Sequence, residues 1–168
     1  SDVSGNSAEN SADLTELPEK EESEPVETED PVEQRAEELL AGMTLEEKVG
    51  QMFIARCPET DAASKVTQYH LGGYILFARD FTGKTKEEVT AAIQSYQNAA
   101  KVPLLIGVDE EGGTVNRVSK NANLRETPFA SPQELYAQGG WDLIRSDTQE
   151  KCQLLQNLGI NLNFAPVC

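Results

Sequence analysis

The stretch Leu104-Leu-Ile-Gly-Val-Asp-Glu-Glu-Gly-Gly-Thr-Val-Asn-Arg117 decides the fold. It begins with a continuous apolar run, which indicates a strand in a parallel sheet with both faces covered. Three carboxylates, Asp109, Glu110 and Glu111, then leave the strand together, and two glycines follow. Functional residues in parallel α/β folds lie at the C-terminal ends of the strands. We therefore expect Asp109 at the mouth of the sheet, with Arg117 facing an oxygen-rich ligand or a carboxylate of its own loop.

Segments of strand and helix type alternate on both sides of this stretch. The other predicted strands are Gln51–Ala55, Tyr74–Phe77 and Ile160–Ala165. The predicted helices run from Pro31 to Gly42, over 60–70, from a capping box at Thr85 to near Ala100, and over about 142–158, with a short turn after a capping box at Thr44. This alternation predicts a parallel sheet, either doubly wound or a (β/α)8 barrel. A barrel takes about 250 residues, so four strands would make about half of one.

The acidic charge of the chain is concentrated at its start. The formal net charge is -15 over 168 residues, and residues 1–34 hold twelve acidic residues, one lysine and no aromatic residue. Such a segment cannot bury enough apolar surface to offset the entropy of ordering it. We therefore predict two regions, a disordered acidic tether over 1–31 and a folded domain over 32–168. Nothing indicates nucleic-acid binding, which requires clustered basic residues.

Other polar and aromatic residues are weaker candidates for a site. The pair Arg79-Asp80 is expected to be structural, and His70 to sit at a helix C-terminus without a catalytic role. Trp141 either stacks on a ligand or, in our preferred interpretation, packs against the exterior of the domain. The three cysteines cannot all pair, and we expect reduced thiols. No phosphate loop, zinc cluster or dinucleotide motif occurs, so we expect no cofactor and no metal.

Four motifs resemble the N-terminal barrel of glycoside hydrolase family 3. They are Met43-Thr-Leu-Glu-Glu-Lys-Val-Gly-Gln-Met52, Gly72-Gly-Tyr-Ile-Leu-Phe-Ala-Arg79, Pro103-Leu-Leu-Ile-Gly-Val-Asp-Glu-Glu-Gly-Gly113 and Leu158-Gly-Ile-Asn-Leu-Asn-Phe-Ala-Pro-Val167. The third continues as Asp-x-Glu-Gly-Gly-x-Val-x-Arg, which looks like the β-N-acetylhexosaminidase branch of the family. The branch commonly has a basic residue where Thr114 stands. The resemblance implies an α/β fold, the N-terminal half of a TIM (β/α)8 barrel with about four parallel strands.

The resemblance also implies roles for two residues. Asp109 matches the aspartate that binds sugar hydroxyls, and Arg117 matches an arginine that contributes to substrate binding. The family retains configuration through an aspartate nucleophile, and in this branch a histidine is the acid/base. The resemblance places both beyond Cys168, so no residue here is assigned a catalytic role and the fragment alone is expected to be inactive.

Several alternatives remain open at this point. The chain could be a non-catalytic carbohydrate-binding or half-barrel association module, a β-glucosidase-type family 3 enzyme, or a cleaved piece of a longer polypeptide. We expect a carbohydrate partner, and self-association through exposed strand edges is a further expectation. We also expect a secreted or cell-surface protein, with the acidic segment as the stalk of a lipoprotein and membrane contact only through a lipid anchor at its N-terminus.

Overall fold

A four-stranded parallel sheet forms the centre of the computed structural model, which describes residues 30–167. The strands are β1 (Ile54–Arg56), β2 (Gly73–Leu76), β3 (Leu105–Val108) and β4 (Leu162–Asn163). The helices are α1 (Pro31–Ala41), α2 (Leu45–Gln51), α3 (Ala62–Tyr69), α4 (Ala78–Phe81), α5 (Lys86–Ala99) and α6 (Pro132–Asn157). The strands lie in chain order and each neighbouring pair is parallel, which confirms the predicted α/β class and is consistent with a barrel-type domain.

Capping boxes begin three of the helices. The Thr44 hydroxyl accepts the Glu47 amide at 3.2 Å, and the Thr44 amide donates to the Glu47 carboxylate at 2.8 Å. Thr85 does the same with Glu88 at the start of α5. Both boxes were predicted, because the Ser/Thr-x-x-Glu spacing satisfies free amides of the first helical turn by local contacts alone.

The last helix has two parts, of which the sequence predicts the second. Gly139 and Gly140 have non-helical dihedral angles and divide α6 at a kink, so the part after them corresponds to the helix predicted over about 142–158. The part before them was missed: a third capping box, Ser131 with Glu134, begins it at Pro132. The spacing Ser131-Pro-Gln-Glu134, with proline at the first helical position, was the sequence signal for this start.

The core lies between the helices and one face of the sheet. Tyr74 and Leu76 of β2, and Ile106 and Val108 of β3, are almost completely buried on this face. They pack with residues of α3, α5 and α6. The helix residues of this cluster include Val66, Val89, Ile93 and Leu155.

The opposite face of the sheet is more open. Leu105 retains 48% of its surface exposed and Phe164 retains 40%. The prediction that both faces are covered is therefore wrong for the part of the chain that the structure describes. A continuous apolar run shows that both faces of a strand are apolar. It does not show that the residues covering each face lie within the described part of the chain.

Asparagine side chains attach the short strand β4 to β3. The Asn161 amide group accepts the Ile106 N–H at 2.7 Å and donates to the Leu104 carbonyl at 3.0 Å. Asn163 makes the equivalent pair with the N–H and carbonyl of Glu110, at 3.0 and 3.1 Å. These bonds extend the pairing beyond two residues, so β4 is held although it is shorter than the predicted Ile160–Ala165.

Part of the sequence predictions falls outside the described residues. The tether predicted over 1–31 lies there except for its end, since Asp30 and Pro31 begin α1. Cys57 and Cys152 are both free thiols, whereas Cys168 is not described. No helix within 30–167 combines the length and the apolar character needed to cross a membrane.

Candidate functional site

Asp109 stands at the C-terminal edge of the sheet, directly after β3. The register pairs Ile75 with Gly107 and Gly107 with Leu162. Two residues further on, the same register brings Phe77, Asp109 and Phe164 onto the open face at this edge. The Asp109 side chain is 23% exposed. Asp109 therefore lies at the C-terminal edge of the sheet, as the sequence predicts, and its role in substrate binding stays a prediction.

The Arg117 guanidinium faces Asp109. Its Nη2 lies 3.7 Å from Asp109 Oδ2, within reach of an ion pair but longer than a hydrogen bond. The Arg117 Nε is buried and has no hydrogen-bond partner among the described residues. The guanidinium carbon lies 5.8 Å from the centre of the Phe77 ring, and that of Arg56 lies 5.0 Å from the same ring. Two arginines and one carboxylate therefore share this edge, and Arg56 was not predicted there.

Glu110 is turned into the protein, away from the open face. Its carboxylate is fully buried and accepts the amides of Arg117 and Val118, each at 2.7 Å. It also accepts the Ser119 amide at 3.1 Å and the Ser119 hydroxyl. Sequence reasoning left open whether Arg117 pairs with Asp109 or with a neighbouring glutamate. The structure directs the guanidinium to Asp109 and the backbone amide to Glu110.

The turn that follows is attached to α6. Gly112 pairs with Val115, and the Gly113 amide donates to the Phe129 carbonyl at 2.9 Å. Lys151 of α6 is almost completely buried and donates to the Glu111 carbonyl at 3.3 Å. Its Nζ also lies 3.3 Å from the Asp147 carboxylate and 5.0 Å from the Phe129 ring centre. These contacts hold the loop that carries Arg117 against the helix.

The weaker candidates lie outside the Asp109–Arg117 pair. Arg79 contacts Glu59 at 2.6 Å and donates to the Cys57 carbonyl, and Asp80 accepts the Phe77 amide at 2.7 Å, which agrees with a structural role. His70 is the C-cap residue of α3. Trp141 was expected to pack, and this is wrong: it is 68% exposed and touches Tyr136 edge-on.

Two cavities of the described residues are lined by residues other than Asp109. One of about 580 Å³ lies between the Gly112–Gly113 turn and the start of α6. Another of about 660 Å³ lies near Phe53 and Tyr69, at the opposite end of the strands. Asp109 instead faces the open side of the sheet. Within residues 30–167, no cluster of histidine, cysteine and acidic residues is arranged to hold a metal ion.

Comparison with known proteins identifies the family. The model of the glycosyl hydrolase family 3 N-terminal domain matches residues 44–168. The chain belongs to glycosyl hydrolase family 3. The predicted resemblance is confirmed, and the matched region of this family 3 domain contains all four strands, Asp109 and Arg117.

Curated relatives of this family 3 domain carry the name β-hexosaminidase. β-Hexosaminidase A of Pseudoalteromonas piscicida is 33% identical over 104 residues, covering 60% of this chain and 17% of that protein. β-Hexosaminidase LpqI of Mycobacterium tuberculosis is 32% identical over 127 residues, covering 72% of this chain and 30% of that protein. The chain therefore spans less than a third of the length of these relatives.

Solved structures of the same family share the fold. A family 3 β-N-acetylglucosaminidase from Paenibacillus sp. str. FPU-7 matches with a TM-score of 0.61 and 34% identity, over 74% of this chain and 24% of that chain. A family 3 glycosyl hydrolase from Mycobacterium smegmatis matches with the same TM-score and 25% identity, over 76% of this chain and 37% of that one. The α/β arrangement is therefore that of the family.

Proposed function

We propose that this domain is the sugar-holding part of a retaining β-N-acetylhexosaminidase that releases terminal N-acetylglucosamine-type sugars from cell-wall or chitin-like glycans. The observation that supports the proposal is the approach of Arg117 to Asp109, 3.7 Å apart at the C-terminal edge of β3. The names of the curated relatives and of the Paenibacillus structure point to the same substrate class.

The pair has the donors and acceptors that a sugar requires. A carboxylate accepts hydrogen bonds from two neighbouring hydroxyls, and a guanidinium donates to ring or hydroxyl oxygens. At 3.7 Å, Asp109 and Arg117 do not satisfy each other fully, so both retain capacity for a ligand. The Phe77 ring, whose centre lies 5.8 Å from the Arg117 guanidinium carbon, adds an apolar surface at the same edge.

We propose that this chain binds sugar without cleaving it. Retaining hydrolysis needs a nucleophile and an acid/base on opposite sides of the glycosidic bond. We assign neither role to any residue of the chain. The chain covers 17% to 30% of the length of these two curated relatives, so their full activity is not carried over to it.

A titration with N-acetylglucosamine, followed by NMR of the labelled chain, tests the proposal. We expect shifts at Asp109 and Arg117, and Asp109→Asn should weaken binding about ten-fold because the neutral amide accepts hydrogen bonds less strongly. Glucose in place of N-acetylglucosamine tests the β-glucosidase alternative, and equal affinity for both sugars would contradict the hexosaminidase assignment. Release of nitrophenol from a nitrophenyl N-acetyl-β-glucosaminide above a blank would contradict the absence of cleavage.

A second candidate function is association of the domain with another copy. The open sheet face exposes Leu105 and Phe164, and β1 and β4 are edge strands of the described sheet. Exposed edges and apolar faces favour pairing between chains. Light scattering tests this candidate: a uniform dimer supports it, and a monomer at high concentration contradicts it.

We further propose that the acidic N-terminal segment tethers the enzyme at the cell surface. Its composition, with twelve acidic residues in the first 34, suits an extended spacer. Fractionation of the source cells tests this proposal. Recovery of the protein in the soluble cytoplasmic fraction would contradict it.

A further inference from the structure

Glu110 is a buried carboxylate whose hydrogen bonds are made with its own loop. The amides of Arg117 and Val118 each donate a hydrogen bond to Glu110 Oε2 at 2.7 Å. The amide and the hydroxyl of Ser119 donate to Glu110 Oε1. None of the ion pairs among the described residues includes Glu110. The carboxylate therefore stabilises one short segment of backbone, and that segment begins with the arginine of the candidate site.

The Glu110 backbone is held equally firmly. Its N–H and carbonyl both bond to the Asn163 side chain, at 3.0 and 3.1 Å. Since Asp109 is the preceding residue, the same bonds determine where Asp109 leaves the sheet. Glu110 thus connects the two site residues: its main chain continues from Asp109, and its side chain holds the amide of Arg117.

The Arg117 guanidinium has few bonds of its own that would hold it in place. Its closest approach to Asp109 is 3.7 Å, and its buried Nε bonds to nothing within residues 30–167. The Phe77 ring, 5.8 Å away, contributes a weak, non-directional contact. The position of the guanidinium therefore depends on where the backbone of residue 117 lies.

We propose that Glu110 is a positioning residue: its carboxylate holds the backbone of residues 117–119 and thereby places the Arg117 guanidinium beside Asp109 for sugar binding. The sugar-binding part of this inference rests on the proposed function. The family motif Asp-x-Glu-Gly-Gly leaves position 110 unspecified, so the role follows from the hydrogen bonds alone. Glu110 itself does not contact the sugar, because its side chain is fully buried.

The variant Glu110→Gln tests the hydrogen bonds most directly. Glutamine has the same shape but only one acceptor oxygen, so its NH2 group must face at least one backbone donor. We expect the amides of residues 117–119 to exchange with solvent about ten-fold faster or more, the factor that about 1.4 kcal/mol produces. The ring-current shift of the Arg117 side-chain protons, caused by Phe77, should decrease in the same variant.

The matched control is Glu126→Gln, which changes an exposed carboxylate of the same loop. We expect no change in exchange at 117–119 and none in the ring-current shift. Equal effects of the two variants, or no effect of Glu110→Gln, would overturn the proposal. If Glu110→Gln does not fold, Ser119→Ala removes one of the four hydrogen bonds to Glu110, together with the bond that the Ser119 hydroxyl accepts from the Phe129 amide. It should still raise the exchange of the 117–119 amides over the control.

A double-mutant cycle separates positioning from general stability. We expect Glu110→Gln to weaken N-acetylglucosamine binding about ten-fold in the wild-type chain and less than about two-fold in an Arg117→Ala background, since its effect passes through Arg117. Equal weakening in both backgrounds would show that Glu110 acts independently of Arg117 and would refute the inference. If the wild-type chain binds no N-acetylglucosamine, the proposed function fails, whereas amide exchange and the ring-current shift still decide whether Glu110 positions Arg117.

Discussion

At the residue scale, Gly112 shows how tightly the turn after Asp109 is constrained. Its φ angle is +102°, in a region that favours glycine, and a Cβ there would lie 2.2 Å from the Ala130 carbonyl oxygen. The backbone of the site loop and the segment before α6 therefore touch at this point. A methyl group at this position cannot be accommodated by rotation of a neighbouring side chain, because the nearest atoms belong to the main chain.

We predict that Gly112→Ala destabilises the domain by more than about 2 kcal/mol, from backbone strain and a collision together. The control is Gly83→Ala, which has a φ of +73° but open space around the new methyl group. The free energy of unfolding of the Gly83→Ala control should fall by about 1 kcal/mol, from backbone strain alone. Urea unfolding of both variants measures the difference, and equal losses would contradict the collision.

The two described cysteines are predicted to differ in reactivity. Cys57 is buried against the core, and burial raises the pKa of its thiol. Cys152 is exposed on α6. Since the thiolate is the reactive form, iodoacetamide should modify Cys152 in the folded chain while Cys57 stays protected until unfolding. Peptide mass mapping distinguishes these two from Cys168, and rapid native labelling of Cys57 would contradict the prediction.

At the element scale, asparagine side chains supply part of the hydrogen bonding that holds strand β4 to β3. Asn161 satisfies the Ile106 N–H of β3 and the carbonyl of Leu104, the residue before β3. We predict that Asn161→Ala costs about 1–3 kcal/mol, because two backbone groups lose their partner. Asn98→Ala, on the exposed surface of α5, should change the free energy of unfolding by less than about 0.5 kcal/mol. Thermal unfolding compares the two variants, and similar losses would contradict this role of Asn161.

The link between the site loop and α6 should depend on pH. Arg125 bonds to Glu150 at 2.8 Å, and this hydrogen bond holds the pKa of Glu150 below its ordinary value of 4.5. A carboxyl with a lowered folded-state pKa stabilises the fold above its unfolded pKa, and this contribution disappears as the pH falls through the folded value. The pair therefore contributes at neutral pH and not in strong acid.

We predict that Glu150→Gln lowers the free energy of unfolding at pH 7 by less than about 1 kcal/mol, since the Glu150 side chain is more than half exposed and water screens the pair. The difference from the wild-type chain should shrink toward zero as the pH drops below 4.5. Denaturant unfolding at several pH values measures it. A difference that persists unchanged in acid would show that the effect does not come from the charge.

At the scale of the whole molecule, the sheet has two unlike faces. Helices cover the face with Tyr74 and Ile106, and the other face leaves Leu105 and Phe164 partly exposed. Asp109 and Arg117 lie at the C-terminal edge of that open face. Under the proposed function, sugar approaches from a side where the described chain provides little enclosure, which favours weak binding.

The sequence by itself determined the four strands, most of the helices, their order and the place of Asp109 after β3. Capping at Thr44 and Thr85 and continuous apolar runs depend on neighbours a few residues away, so they can be interpreted without the fold. The predicted ends of the strands differ from the observed ends by a few residues. The start of α6 was missed, although its capping box also depends only on residues a few positions apart. The chain's family also followed from short motifs alone, and the comparisons confirmed it.

Only the tertiary structure decided which partner each charged residue takes. Residues 109, 110 and 111 are three adjacent carboxylates in the sequence, yet Asp109 faces Arg117 while Glu110 turns inward to the amides of 117–119. The exposure of Trp141 and the open sheet face likewise depend on how segments far apart along the chain meet. Strand and helix patterns arise from short-range geometry, whereas these contacts depend on packing between distant segments.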